Sequence, residues 1–145
     1  MSARQQPLAK RRADMMRVPL LILAALVAAT PAAACRCRAP STPQAFARAD
    51  AVAVGMVSAV RDRDTGDTIL EFAVERAWKK PLARSITIRT ATTCKLRASA
   101  GTRYLLFLRR DGHRGYFTTR CMGDRPNPDT ALLTDVDRLG RSRAR

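Results

Sequence analysis

Cys35-Arg36-Cys37 stands directly behind a stretch with the parts of a cleaved export signal, and the other two cysteines, Cys94 and Cys121, follow far downstream. No other feature constrains the fold as strongly. All four cysteines fall after the cleavage zone. An even count in a short exported chain reads as two disulfides, with three connectivities open from the residues alone. A zinc site is the competing reading, but its ligands usually come in close pairs and only the first two cysteines are close.

The signal reading rests on Arg17 as basic flank, an apolar run over residues 18–29, and Thr30-Pro31-Ala32-Ala33-Ala34 as a small-residue cleavage zone. The run is too short to span a bilayer. Residues 1–34 are therefore expected to be an upstream extension plus signal peptide, residues 35–139 the folded domain, and residues 140–145 a basic disordered tail. Met15 and Met16 offer alternative starts, and Lys10-Arg11-Arg12 is a poor twin-arginine match because Ala13-Asp14 follows it. The protein is expected to be exported, either secreted or periplasmic.

Processing would make Cys35 the first residue, with two chemical fates. Lipid anchoring through its sulfur normally requires a Leu three residues earlier, where this chain has an alanine triplet. Acylation would also leave Cys37, Cys94 and Cys121 as an odd set. Disulfide pairing with a free α-amine is the favoured fate, and a lipoprotein anchored at Cys35 stays open as the alternative.

From Cys35 onward about 111 residues remain, one small domain of the size that often needs covalent staples. That segment carries 22 Lys and Arg against 11 Asp and Glu. The excess suits a polyanion or a phospholipid surface as partner, set against the plainer reading of a solvated arginine-rich surface. Aromatic residues are few and not interleaved with the arginines, so no specific nucleic-acid motif is present.

Pro43-Gln44-Ala45-Phe46 suggests a short helix with Phe46 as its buried anchor. Residues 51–60 form an apolar, valine-rich run that Gly55 interrupts, as in a bulged strand. Residues 69–78 alternate, placing Leu70, Phe72, Val74, Arg76 and Trp78 on one side, with Trp78 expected in the core at a barrel end. A turn at residues 62–67 makes these two runs a hairpin. Further strands are expected over residues 85–90, 104–109 and 116–120, and a short helix over residues 129–139 carrying Leu132, Leu133, Val136 and Leu139. Five short strands point to a small barrel or sandwich.

Candidates for chemistry are few. His113, the sole histidine, lies in the turn Asp111-Gly112-His113-Arg114-Gly115 and reads as a surface residue. Glu71 and Glu75 share a strand face that reads as solvated rather than as a carboxylate pair. No phosphate loop, triad motif or metal-binding helix motif is present, so neither an enzyme nor a cofactor is expected, and no metal of the protein's own.

Cys35-Arg36-Cys37, Pro40, and Pro43-Gln44-Ala45-Phe46 leading to Ala49-Asp50 and a valine-rich strand resemble the start of the tissue inhibitors of metalloproteinases. Gly101-Thr102-Arg103-Tyr104-Leu105-Leu106-Phe107 and the late Cys121 are similar to the wider netrin-like module. The likeness covers the N-terminal inhibitory domain only. It implies an all-β fold with minor helices, a five-stranded oligonucleotide/oligosaccharide-binding (OB) type barrel, with Cys35 paired to Cys94 and Cys37 to Cys121. It also implies a zinc metalloprotease as partner: the amine and carbonyl of Cys35 would chelate the protease's zinc, whose open coordination position accepts such ligands. Arg36 would then be the specificity residue. The chain departs from the family at Arg36, where a small residue is usual, at Ala47, which replaces a further cysteine, and in a Cys37 to Pro43 spacing longer by about one residue.

Overall fold

The computed structural model describes residues 35–112 and 115–143. The signal stretch, its cleavage zone and His113 lie outside these residues.

In chain order the elements are α1 (Thr42–Arg48), β1 (Ala51–Asp62), β2 (Thr68–Trp78), β3 (Ser85–Thr90), β4 (Arg103–Arg110), β5 (Tyr116–Thr118), a 3-10 turn (Arg120–Met122), β6 (Arg125–Pro126) and α2 (Thr130–Arg143). The strands pair in the order β1-β2-β3-β5-β4, and β4 pairs back onto β1, which closes a five-stranded OB-type barrel. All barrel pairings are antiparallel except β3 with β5. Closure removes the unpaired edges that make open sheets prone to aggregate. The two-residue β6 pairs with Tyr104 and Leu105 on the edge of β4 that β5 uses, opposite the edge taken by β1.

Two cores result, one on each side of β1. Inside the barrel, Ala51, Ala53, Val57, Leu70, Phe72, Ile88, Tyr104, Leu106 and Leu108 pack together. Outside it, Val52, Val54, Leu105, Phe107 and Trp78 pack under α1 and α2, against Ala45, Phe46, Ala49 and Val136. The first half of β1 is therefore buried on both faces, which accounts for its unbroken apolar run.

Two bulges control which side chains reach which core. Opposite Val54 and Gly55 the partners jump from Arg76 to Val74, so Glu75 is the extra residue on β2. The jump reverses the alternation of β2. Leu70 and Phe72 point into the barrel, whereas Trp78, of the same parity, points outward under α2. This corrects the single face expected for Leu70 through Trp78. A Cβ on Gly55 would collide with the Ala73 carbonyl oxygen and lie 3.1 Å from the Phe72 ring. The second bulge leaves Ser58 unpaired between Val57 and Ala59, and its hydroxyl donates to the Glu71 carbonyl at 3.1 Å.

The helices close the outer core. In α1 the Gln44 side-chain oxygen accepts from the Ser41 amide at 3.2 Å. At its C-terminal end the Lys79 ammonium donates to the carbonyls of Phe46, Ala47 and Ala49, where a cation suits the unsatisfied acceptors and the helix dipole. In α2 the Asp129 carboxylate accepts from the Leu132 amide at 2.8 Å and caps the first turn. Trp78 donates its indole N–H to Asp137 at 2.8 Å, and Arg76 lies 4.6 Å over its ring. A Cβ on Gly140 would stand 2.9 Å from Trp78 Cδ1, so this glycine lets the helix approach the ring.

Two other expectations are corrected here. The helix runs on to Arg143, so residues 140–143 are helical rather than a disordered tail; packing of Trp78 on Gly140 and Leu139 in the outer core extend it. The fifth strand ends at Thr118 rather than residue 120, because Thr119 starts the turn that carries Cys121.

Candidate functional site

Residues 35–41 run without regular structure to α1, and residues 36–39 are exposed. Covalent bonds hold this segment down. Cys35 is bonded to Cys94 and Cys37 to Cys121, the pairing that the resemblance implies. Their Cα separations, 5.1 Å and 5.5 Å, fall within the ordinary range for a disulfide. Arg36 stands exposed between the two attachment points.

The anchors are themselves positioned by local hydrogen bonds. Cys94 sits in the loop after β3, where Thr92 adopts a left-handed conformation at φ 73° and its hydroxyl accepts from the Cys94 amide at 3.2 Å. The buried Thr90 hydroxyl accepts from the Leu96 amide at 2.7 Å and fixes the far side of that loop. Cys121 lies in the 3-10 turn that Thr119 caps, its amide donating to the Thr119 hydroxyl at 3.3 Å. The Arg120 amide donates to the Cys94 carbonyl at 3.0 Å, so the two anchor loops are joined directly. The bridges also touch each other: the Cys35 sulfur lies 3.9 Å from those of both Cys37 and Cys121.

Below the turn is a residue that the sequence reading did not single out. Asp124 is buried where the outer edge of β4 passes from β5 to β6 and strand pairing lapses. Its carboxylate fills the gap. Oδ1 accepts from the Phe107 amide at 2.8 Å, and Oδ2 accepts from the Thr118 hydroxyl at 2.6 Å. Burial pushes its pKa up to about 7, against the opposing pull of those two donors and of nearby Arg125. Gly123 just before it, at φ 99°, would bring a Cβ to 2.9 Å from the Ala45 Cβ, which ties the turn to α1. No sequence signal marks Asp124, since a lone acid after Met122-Gly123 in a turn region looks solvated.

Beside the Cys37–Cys121 bridge lies an open cleft of about 170 Å³, lined by Pro40, Met122, Cys121, Arg48 and Arg109 among others. Both arginines are exposed. The remaining sequence candidates are scattered. Glu75 pairs with Arg103 at 2.7 Å and Glu71 with Arg61 at 3.9 Å, both partly exposed and each with its own arginine. Trp78 is a packing residue of the outer core.

Two disulfides in a domain of this size mark an oxidising, non-cytoplasmic setting. Among the described residues no helix is long and apolar enough to cross a membrane. No protein-family model matches the chain, and no curated protein matches it.

Proposed function

We propose that the protein is an exported inhibitor of zinc metalloendopeptidases, acting through Cys35 at its mature N-terminus. One observation carries the reading: Cys35 and Cys37 are each bonded to a different anchor loop, while residues 36–39 stay exposed. A segment held in this way loses little conformational freedom on docking, so binding energy is not consumed in ordering it. The α-amine and carbonyl of Cys35 would complete the coordination of a protease zinc in place of its water. Arg36, exposed beside them, would enter the pocket next to the metal and select proteases with an acidic or deep polar pocket.

The test uses protein beginning at Cys35 with both bridges intact, against a panel of zinc endopeptidases that includes enzymes accepting arginine after the cut. A second preparation carries an acetylated α-amine. Inhibition by the free amine that acetylation abolishes is the expected result. Inhibition of no enzyme, or equal inhibition by both preparations, sinks the reading.

A non-inhibitory binding module for an acidic partner, free or lipid-anchored at Cys35, is the second reading. The cleft flanked by Arg48 and Arg109 favours it. It expects retention on a heparin column that salt weakens and that Arg48→Gln with Arg109→Gln reduces. The intact mass of the native protein tells an acylated Cys35 from a free one.

A further inference from the structure

The two bridges need not have their sulfurs in one cluster to fasten the N-terminal segment, yet all four Sγ atoms lie within 4.8 Å of one another. A tetrahedral tetrathiolate zinc centre, with Zn–S bonds of about 2.3 Å, sets its sulfurs about 3.8 Å apart. Two of the four distances between bridges, Cys35 to Cys37 and Cys35 to Cys121 at 3.9 Å each, already match that spacing, and the two from Cys94 are no longer than 4.8 Å.

We propose that Cys35, Cys37, Cys94 and Cys121, once their bridges are reduced, form a tetrathiolate site for one Zn²⁺ ion. The same four sulfurs would then fasten the N-terminal segment to the barrel in either redox state. Two equivalents of a dithiol reduce the two bridges: each passes two electrons and two protons to one bridge, breaking its S–S bond, and closes to its own disulfide, so that four thiols result. Zn²⁺ then replaces the four thiol protons, which pass to solvent, and four Zn–S bonds form with no further electron transfer.

Half of the site would be held without the bridges. The Arg120 amide to Cys94 carbonyl bond holds the two anchor loops together, and Thr92 and Thr119 cap them. Cys94 and Cys121 would wait in place, and Cys35-x-Cys37 would supply the other two ligands from a short mobile chain. A zinc ion with four thiolates carries a net charge of two negative units. Exposed Arg36, Arg38 and Arg120, each adjacent in sequence to a ligand, would offset it. The proposal stands independently of the inhibitor reading, which concerns the oxidised protein and a metal held by its partner.

The test reduces the full chain, removes the dithiol under nitrogen, and titrates with Co²⁺ as a spectroscopic probe before displacement by Zn²⁺. The expected result is one equivalent per chain, thiolate-to-cobalt charge-transfer and tetrahedral ligand-field bands, and a higher urea midpoint for the metal-bound reduced chain than for the metal-free one. Cys35→Ser and Cys94→Ser should each weaken binding by about tenfold or more. Denaturing urea separates a built site from chance chelation by an unfolded chain, and should weaken binding at least as much. Binding that urea leaves unchanged, six-coordinate spectra, or a urea midpoint that metal does not raise would each overturn the proposal.

Discussion

Replacing Asp124 by Asn should abolish most of the pH dependence of stability between pH 4 and pH 7. In the folded chain burial raises the carboxyl pKa from 3.8 to about 7. A raised acid binds its proton more tightly when folded than when unfolded, so the folded state holds more protons across that window, and stability falls as pH rises through it. At about 1.4 kcal/mol per unit the loss approaches about 4 kcal/mol by neutral pH. For a domain of this size that corresponds to roughly 15 °C or more in melting temperature. Below about pH 4 the sign reverses. There the carboxyls of Asp50, Asp62 and Asp111 govern, held low by the Arg110 amide, the Thr68 hydroxyl and the Arg89 guanidinium respectively.

Asparagine reproduces the protonated acid. Its oxygen accepts from the Phe107 amide, and its amide donates to the Thr118 hydroxyl, which is then free to donate to the Phe107 carbonyl 3.3 Å away. Urea melts from pH 4 to pH 8 in a His113→Gln background remove the chain's only histidine from the window. The parent should lose stability steadily toward pH 7, and the Asp124→Asn variant should hold nearly constant and exceed the parent at pH 8. Equal slopes for the two proteins would refute the reasoning.

Gly55→Ala drives a methyl into the Ala73 carbonyl at the bulge, and should destabilise by about 3 kcal/mol or more, read as a lowered urea midpoint. Replacing Cys35 and Cys94 together by Ser opens a loop spanning 59 residues, and loop entropy puts the loss near 4 kcal/mol, checked by thermal melts beside the parent. Asp137→Ala removes the acceptor of the Trp78 indole and the partner of Arg76, costing about 1–2 kcal/mol, with a shift in Trp78 fluorescence as the local readout. Exposed Glu75→Gln, by contrast, should change stability by less than about 1 kcal/mol, because its pair with Arg103 is solvated.

The elements were legible wherever one local pattern dominated. Alternation marked β2 and β3, the apolar run marked β1, and Pro43 with Ala45 and Phe46 marked α1. In each case neighbours in sequence face one environment, and composition reports it directly. The ends were less legible. Thr119 turns the chain through a cap that resembles strand sequence, and α2 extends past Leu139 because Gly140 meets an indole more than sixty positions earlier in the chain.

By itself the sequence determined that this is a small, basic, all-β domain with cysteines in number and place for two staples. These are properties of composition and of periods two and 3.6, which survive without knowledge of any distant contact. Only the tertiary structure decided that Glu75 bulges out of register and turns Trp78 away from the barrel. It also decided that a lone aspartate fills the lapse between β5 and β6, and that the two staples meet sulfur to sulfur. Each of these outcomes depends on residues brought together by barrel closure, and pairing across that closure leaves no local trace in the chain.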